Sequence, residues 1–243
     1  MSSLTSDIGV GPFNIFAKSA IQEADLGSRA VTSDGREFRY VKAGGTALVP
    51  GKLQQAPAEI TDHQNLAPTA NATASTVTPV YTFTVTLGGT AVTANQYAEG
   101  WAIITTSTGE GYQYQISSHP AADASATLAI TLADPLLANL ATSTTKVDLV
   151  SNPYKGVIVN PASASSAPIG VAVYAIPASN YGWIQTKGIA SVLADGSVTV
   201  GTAVVASNAT AGAVEALTGV QAPVGLAVTG IATTQYGAIN INL

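Results

Sequence analysis

The chain has 243 residues, of which 9% are charged, with a formal net charge of −5. A soluble domain ordinarily carries about a quarter charged residues, and a phosphate binder needs a clustered basic face, so nucleic acid is excluded as the main ligand. With no cysteine, a disulfide framework and a thiolate metal site are excluded too.

Hydrophobic residues reach 47% but aromatics only 6%, so the apolar content is mostly small Ala and Val. That composition predicts thin β layers whose surfaces suit contact with identical chains. No apolar run approaches the ~20 residues of a spanning helix, and no membrane partner is expected. Met1 to Asp7 has neither the basic nor the apolar region of a secretory signal, which predicts synthesis in the cytoplasm.

Residues 1–26 read as an arm: Gly9, Gly11 and Pro12 interrupt an apolar stretch holding Phe13 and Phe16, two of the four phenylalanines. Two docking places stay open for it, its own domain or a neighbouring subunit. Ser28 to Lys42 predicts a hairpin turning at Ser33-Asp34-Gly35, and it carries all three arginines, Arg29, Arg36 and Arg39. The charge balance is +1 over residues 1–55 and −6 over 56–243. The hairpin is either a solvated one with cross-strand ion pairs of little worth or an anchor for an acidic surface, since the arginine fork suits carboxylates. Phe13, Phe16, Arg29, Arg36 and Arg39 are therefore the candidate partner-binding residues. Tyr40 to Gly51 echoes Trp183 to Gly196 in outline, too faintly to stand as a repeat.

Gln54 to Thr76, with Pro57, Pro68 and a run of Ala, Asn, Thr and Ser, reads as a linker. Strands are expected at Val80–Leu87, Gly100–Thr105, Gly111–Ile116, Ala126–Leu132 and Lys146–Val150, and one short helix at Asp134–Leu140. Further strands follow at Gly156–Val159 and Ile169–Ile176. Tyr181 to Val205 reads as three short strands with two turns, one of them at Ala194-Asp195-Gly196-Ser197, with Gly188 and Gly201 bending the chain. Gly225–Thr229 and Gly237–Leu243 close the sequence. The expected fold class is all-β: an N-terminal arm and hairpin (1–55), a linker (56–76), a middle β domain (77–155) and a C-terminal β domain (156–243), each domain a small sandwich or barrel.

Catalytic templates find little to hold. His63 and His119 lack metal-binding spacing, and no Gly-x-Ser-x-Gly elbow accompanies them; both are expected to be structural or solvent-exposed. Ser143-Thr144-Thr145-Lys146 leads into a strand and opens no helix. Thr108 to Gly111 reads as a hairpin turn. Glu99, Glu110, Asp123 and Asp134 satisfy no defined carboxylate geometry, and no enzyme activity, cofactor or metal is expected.

Asn95 to Trp101, Gly109 to Pro120, Leu132 to Leu136, Asn152 to Val157, Tyr181 to Gly188 and Gly196 to Ala213 together resemble accessory virion proteins of tailed bacteriophages. From about Gly170 onward the chain looks like their β-rich head-decoration modules. The resemblance implies a capsid decoration or cement protein on the virion surface. Its implied partners are the major capsid protein and further copies of itself in a cyclic homo-oligomer, anchored by the arm and hairpin. Removal of residues 1–26 is then expected to leave a folded chain that binds the shell poorly. A tail, baseplate or fibre component shares this composition, and a surface glycan-binding adhesin would use Trp101, Tyr112 and Tyr114, although Trp101 is expected in the core.

Overall fold

The computed structural model describes residues 14–243, an all-β chain with one 3-10 turn at Thr61–His63. Strands β1 (Arg29–Val31), β2 (Glu37–Ala43) and β3 (Leu53–Gln55) are followed by β4 (Thr82–Thr86), β5 (Trp101–Thr106), β6 (Gln113–Ser118), β7 (Thr127–Leu132) and β8 (Lys146–Val150). Then come β9 (Lys155–Val159), β10 (Pro168–Ala172), β11 (Tyr181–Leu193), β12 (Ala203–Ala206), β13 (Val214–Ala216), β14 (Gly225–Ala227) and β15 (Tyr236–Asn242). The all-β, small-barrel class expected from sequence is what forms.

Two compact units result, and they are not consecutive in sequence. Among the described residues, one is Glu59–Asn152 and the other joins 14–58 to Pro153–Leu243. The arm-and-hairpin region and the C-terminal domain, expected to be separate, share one sheet. In it β2 pairs in parallel with β9 and antiparallel with β11, and β3 pairs with both β9 and β10.

In the inserted unit β4-β7-β6-β5-β8 run antiparallel. Their alternation is clean: Phe83, Val85, Ala102, Ile104, Leu128, Ile130, Val147 and Leu149 face inward and are buried. The expected linker belongs to this barrel from Glu59 on, while Gln54 and Gln55 lie in β3 of the other unit. Leu66 bridges Val147 of β8 and Pro68 bridges Val85 of β4, so Leu66–Thr69 acts as one more stave between the two edge strands. Closure in this way leaves no unpaired edge there. Asp134–Leu140 is not helical. Leu136 and Leu140 are buried four residues apart, but their N–H groups donate to Val80 and Ala72 carbonyls at 2.8 Å each.

The split unit consists of the same barrel built twice. In the first copy β2-β9-β3-β10 and the first half of β11 form a ring that the β2–β11 pairing closes. In the second copy the other half of β11, β15, β14, β12 and β13 form a ring that a parallel bridge from Ala194 to Val214 closes. The pairing types agree position by position, including the parallel one. Each copy also holds one equivalent antiparallel bridge, Leu48 to Ile176 and Val198 to Ile231. The core of the first copy is Val41, Ala43, Leu48, Val157, Ala172, Ile176 and Ile184. Its counterparts Val192, Ala194, Val198, Val214, Ala227, Ile231 and Ile239 all lie in the core of the second.

Local geometry repeats too. Ser179 and Thr234 both take a left-handed conformation, with φ of 61° and 62°. Gly182 and Gly237 both lie against the bridging isoleucine: an added Cβ would stand 2.8 Å from Ile176 Cδ1 in the first and 2.3 Å from Ile231 Cγ1 in the second. The split unit therefore carries a true internal duplication, but not in the alignment of the faint echo: Tyr40–Gly51 corresponds to Ser191–Gly201 and not to Trp183–Gly196, with Val41 matching Val192 and Gly51 matching Gly201. Of the three short strands expected over Tyr181–Val205, the first two are one thirteen-residue strand serving both copies, and the next strand begins only at Ala203. Gly188, with φ of 91°, passes through the long strand without ending it.

Candidate functional site

Of the five residues expected to bind a partner, Phe13 lies outside the described residues. The three arginines are turned onto their own hairpin. Arg29 forms a two-pronged pair with Glu37 (Nε to Oε2 2.9 Å, Nη2 to Oε1 2.8 Å), and this guanidinium holds the Glu37 carboxyl below its ordinary range. Arg36 Nε donates to Asp34 Oδ2 at 2.8 Å and its guanidinium lies 5.6 Å from the Phe38 ring centroid. Asp34 is likewise held low, first by its hydrogen bond from Thr32 and then by Arg36. Arg39 Nη1 donates to the Gly27 carbonyl at 2.9 Å. Arg29–Glu37 is the cross-strand pair of a solvated hairpin, Arg36–Asp34 lies within its turn and Arg39 is spent on a backbone carbonyl; exposed pairs of this kind add little.

The described part of the arm docks on its own unit. Ser19 exchanges backbone hydrogen bonds with Tyr181, the Tyr40 hydroxyl accepts from Glu23 N–H at 3.0 Å, and the Tyr174 hydroxyl donates to the Ala17 carbonyl. Beneath it Tyr40 stacks on Tyr181 at 5.9 Å and tilts onto Trp183 at 5.1 Å, with Lys42 Nζ 5.2 Å from the Tyr181 ring centroid. Ile15, Leu26 and Ala30 complete the cluster over Phe38, Tyr40 and Trp183, all buried. Two apolar side chains of the arm point away from it: Phe16 is 58% exposed, in edge contact with Tyr174, and Ile21 is 76% exposed.

The duplication gives this cluster a counterpart. The first copy's outer face carries Phe38, Tyr40 and Trp183 beneath the arm, and Val171 packed with the second copy's core cluster; the equivalent positions of the second copy are Ile189, Ser191, Ala238 and Leu226. The first face is buried and the second is bare, with Ile189 at 56%, Leu226 at 52%, Tyr236 at 52% and Val228 at 42% exposure. The register sets Leu193 beside Tyr236, Ser191 beside Ala238, and Ile189 in line with Asn240 and Leu226. Alternate residues of one strand recur about every 6.8 Å. The small pair Ser191–Ala238 thus floors a trough between two bulkier rows. Lys187, at the end of the face and 3.7 Å from Glu37, is the charged residue of β11, β14 and β15, while Glu215 of β13 points outward elsewhere on the barrel. The sequence reading missed these residues, and the signal was available: Gly170 to Trp183 and Gly225 to Ala238 share Gly, Ala, Val, Ile, Tyr and Gly at matching places.

The histidines meet in the inserted unit, around Tyr97. Tyr97 O–H donates to His63 Nδ1 at 2.6 Å, while His63 Nε2–H donates to the Thr90 carbonyl at 2.9 Å. Tyr97 N–H donates to His119 Nε2 at 2.9 Å, and His119 Nδ1–H to the Pro120 carbonyl at 2.8 Å. A carbonyl can only accept and a backbone N–H can only donate, so His119 is fixed with its proton on Nδ1, His63 carries a proton on Nε2, and both nitrogens of each ring are engaged. Burial pushes the Tyr97 hydroxyl up to about 12. All three side chains are buried, and the arrangement clamps a loop. Among the described residues no group of three or more His, Asp or Glu could hold a metal ion, and no helix is long and apolar enough to cross a membrane.

Trp101 is not in the core. It lies on the outer face of the inserted barrel, half-buried, in register with Gln115 and Val150. Tyr112 is exposed, and Tyr114 is buried with its hydroxyl accepting from Leu137 N–H.

Compared with known proteins, the chain matches no family model, no curated protein and no solved structure.

Proposed function

We propose that this chain is a structural protein of a tailed-phage virion that binds and stabilises the head shell as a cement or decoration protein. The observation that carries the reading is the bare, nearly uncharged outer face of the second barrel, built on the same plan as a face the chain itself covers. Such a surface gains by burying apolar area against protein and asks for no particular small molecule. The sequence resemblance to accessory virion proteins supports the same assignment. Many modest contacts per particle then add through multivalency. With the arginines occupied on their own hairpin, the contacts fall to the apolar surfaces, including Phe16 and Ile21. The major capsid protein and neighbouring copies are the partners.

The test is reconstitution on purified heads that lack the protein. Saturable binding at a fixed copy number per head, with a rise in the temperature at which heads open, is the expected result. Absence of binding to heads, with gold label on tails in intact particles, would move the chain to the tail, baseplate or fibre.

One observation favours a second reading. Trp101 shares the outer face of its barrel with Ile103, Gln113 and Gln115, an aromatic platform flanked by amides, which is chemistry that sugars accept. Binding on a glycan array that Trp101→Ala abolishes in a folded protein would support a surface adhesin instead.

A further inference from the structure

From the duplication we infer that the outer face of the second barrel is the docking site for a second copy of this chain, which inserts Phe16 and Ile21 of its arm into the trough over Ser191 and Ala238. This deepens the cement reading by naming the surface through which copies hold each other. The first barrel shows what such a face takes: its equivalent surface is covered by residues 15–30 of this same sequence, with Ile15, Leu26 and Ala30 against Phe38, Tyr40 and Trp183. The two faces are continuous, because both lie along the outward side of β11, which runs from the covered Trp183 through Lys187 to the bare Ile189 and Ser191.

The two faces differ in bulk. Where the first copy sets Tyr40 opposite Trp183, the second sets Ser191 opposite Ala238, so bulk present in one is missing in the other. The trough lies between rows about 13 Å apart along the strand, enough for an incoming aromatic ring. The arm supplies two apolar side chains that its own unit leaves outside, Phe16 and Ile21. Giver and receiver are different surfaces, so the contact is head-to-tail. A head-to-tail contact between identical chains closes into a ring when the rotation permits.

The experiment measures association of the full chain alone, without heads, so that it succeeds or fails separately from shell binding. Sedimentation velocity over a concentration series is run on the wild type, Phe16→Ala, Leu226→Lys, and Val220→Lys as a control on another exposed side chain, with near-UV circular dichroism checking each fold. The wild type and Val220→Lys should associate alike, and Phe16→Ala and Leu226→Lys should each weaken association at least tenfold. Mixing the two weakened variants should restore dimers and nothing larger, since one contributes an intact face and the other an intact arm. A monomeric wild type, or a Leu226→Lys variant that associates normally, overturns the inference. Loss in Leu226→Lys with none in Phe16→Ala overturns the head-to-tail geometry in favour of face against face.

Discussion

Gly237→Ala is the sharpest perturbation of the duplicated barrel. The added methyl would stand 2.3 Å from Ile231 Cγ1 and 2.6 Å from its Cδ1, where carbon atoms prefer about 3.5–4.0 Å. Ile231 cannot easily yield, because it is buried in the second core and β-branching restricts its χ1. Overpacking of this kind costs about 1–3 kcal/mol. At roughly 3 °C per kcal/mol for a unit of this size, the transition of the split unit should fall by about 3–9 °C. Differential scanning calorimetry measures it, with the transition of the inserted unit as an internal reference. Ile231→Ala alone should cost about 2–5 kcal/mol through its cavity. The double variant should cost less than the sum, because the new methyl occupies part of that cavity. Strict additivity, or a transition unmoved by Gly237→Ala, would refute the view that this glycine exists to admit the isoleucine.

Tyr97→Phe should destabilise the inserted unit by about 1–3 kcal/mol, read by urea unfolding, since His63 Nδ1 loses its donor in a buried site. The same tyrosine sets an alkaline limit. Its folded value of about 12 lies above its ordinary 10.0, so its contribution is whole below pH 10 and is lost as pH rises through 12. That loss is worth roughly 2–3 kcal/mol, and ultraviolet titration should show one late-ionising tyrosine fewer in Tyr97→Phe than in the wild type. Deletion of residues 1–26 should lower the stability of the split unit. It would uncover Phe38, Tyr40 and Trp183, each worth roughly 1.5–3 kcal/mol of burial, against which the recovered entropy of the freed segment is set. Chemical denaturation with tryptophan fluorescence measures it.

Strand positions were legible because period-two alternation is a local signal: Phe83 and Val85, or Leu128 and Ile130, face one side whatever their partner. Partnership is not local. Nothing in Glu37–Ala43 announces that its neighbours are Lys155–Val159 and the start of β11, beyond an inserted unit. Pro68 and its Ala/Thr surroundings read as a linker since proline lacks an N–H, yet an edge stave bonded through its neighbours tolerates that lack. Leu136 and Leu140, spaced like a helical stripe, are held by a loop's carbonyls instead. The duplication was only half legible, because the two copies agree mainly in hydrophobic character and in a few glycines. The meaning of those glycines, close approach to Ile176 and Ile231, emerges only in three dimensions. The bare face was hidden for the same reason: Ile189 and Leu226 look like core residues until the covered copy beside them is recognised.

The two copies differ in one connection. Between β3 and β9 the first copy accommodates all of Glu59–Asn152, whereas the second joins β12 to β13 through Ser207–Ala213, whose tip at Asn208 and Ala209 is exposed. The Ser207 hydroxyl accepts from Ala209 and Thr210 N–H groups and donates to Asp195, fixing one side of that tip. Gly212 on the other side exchanges backbone hydrogen bonds with Leu53 and Asn160. A foreign protein spliced between Asn208 and Ala209 would occupy the place that the chain already uses once for a passenger of its own. The molecule is in that sense a ready-made scaffold for display, with a vacant second berth.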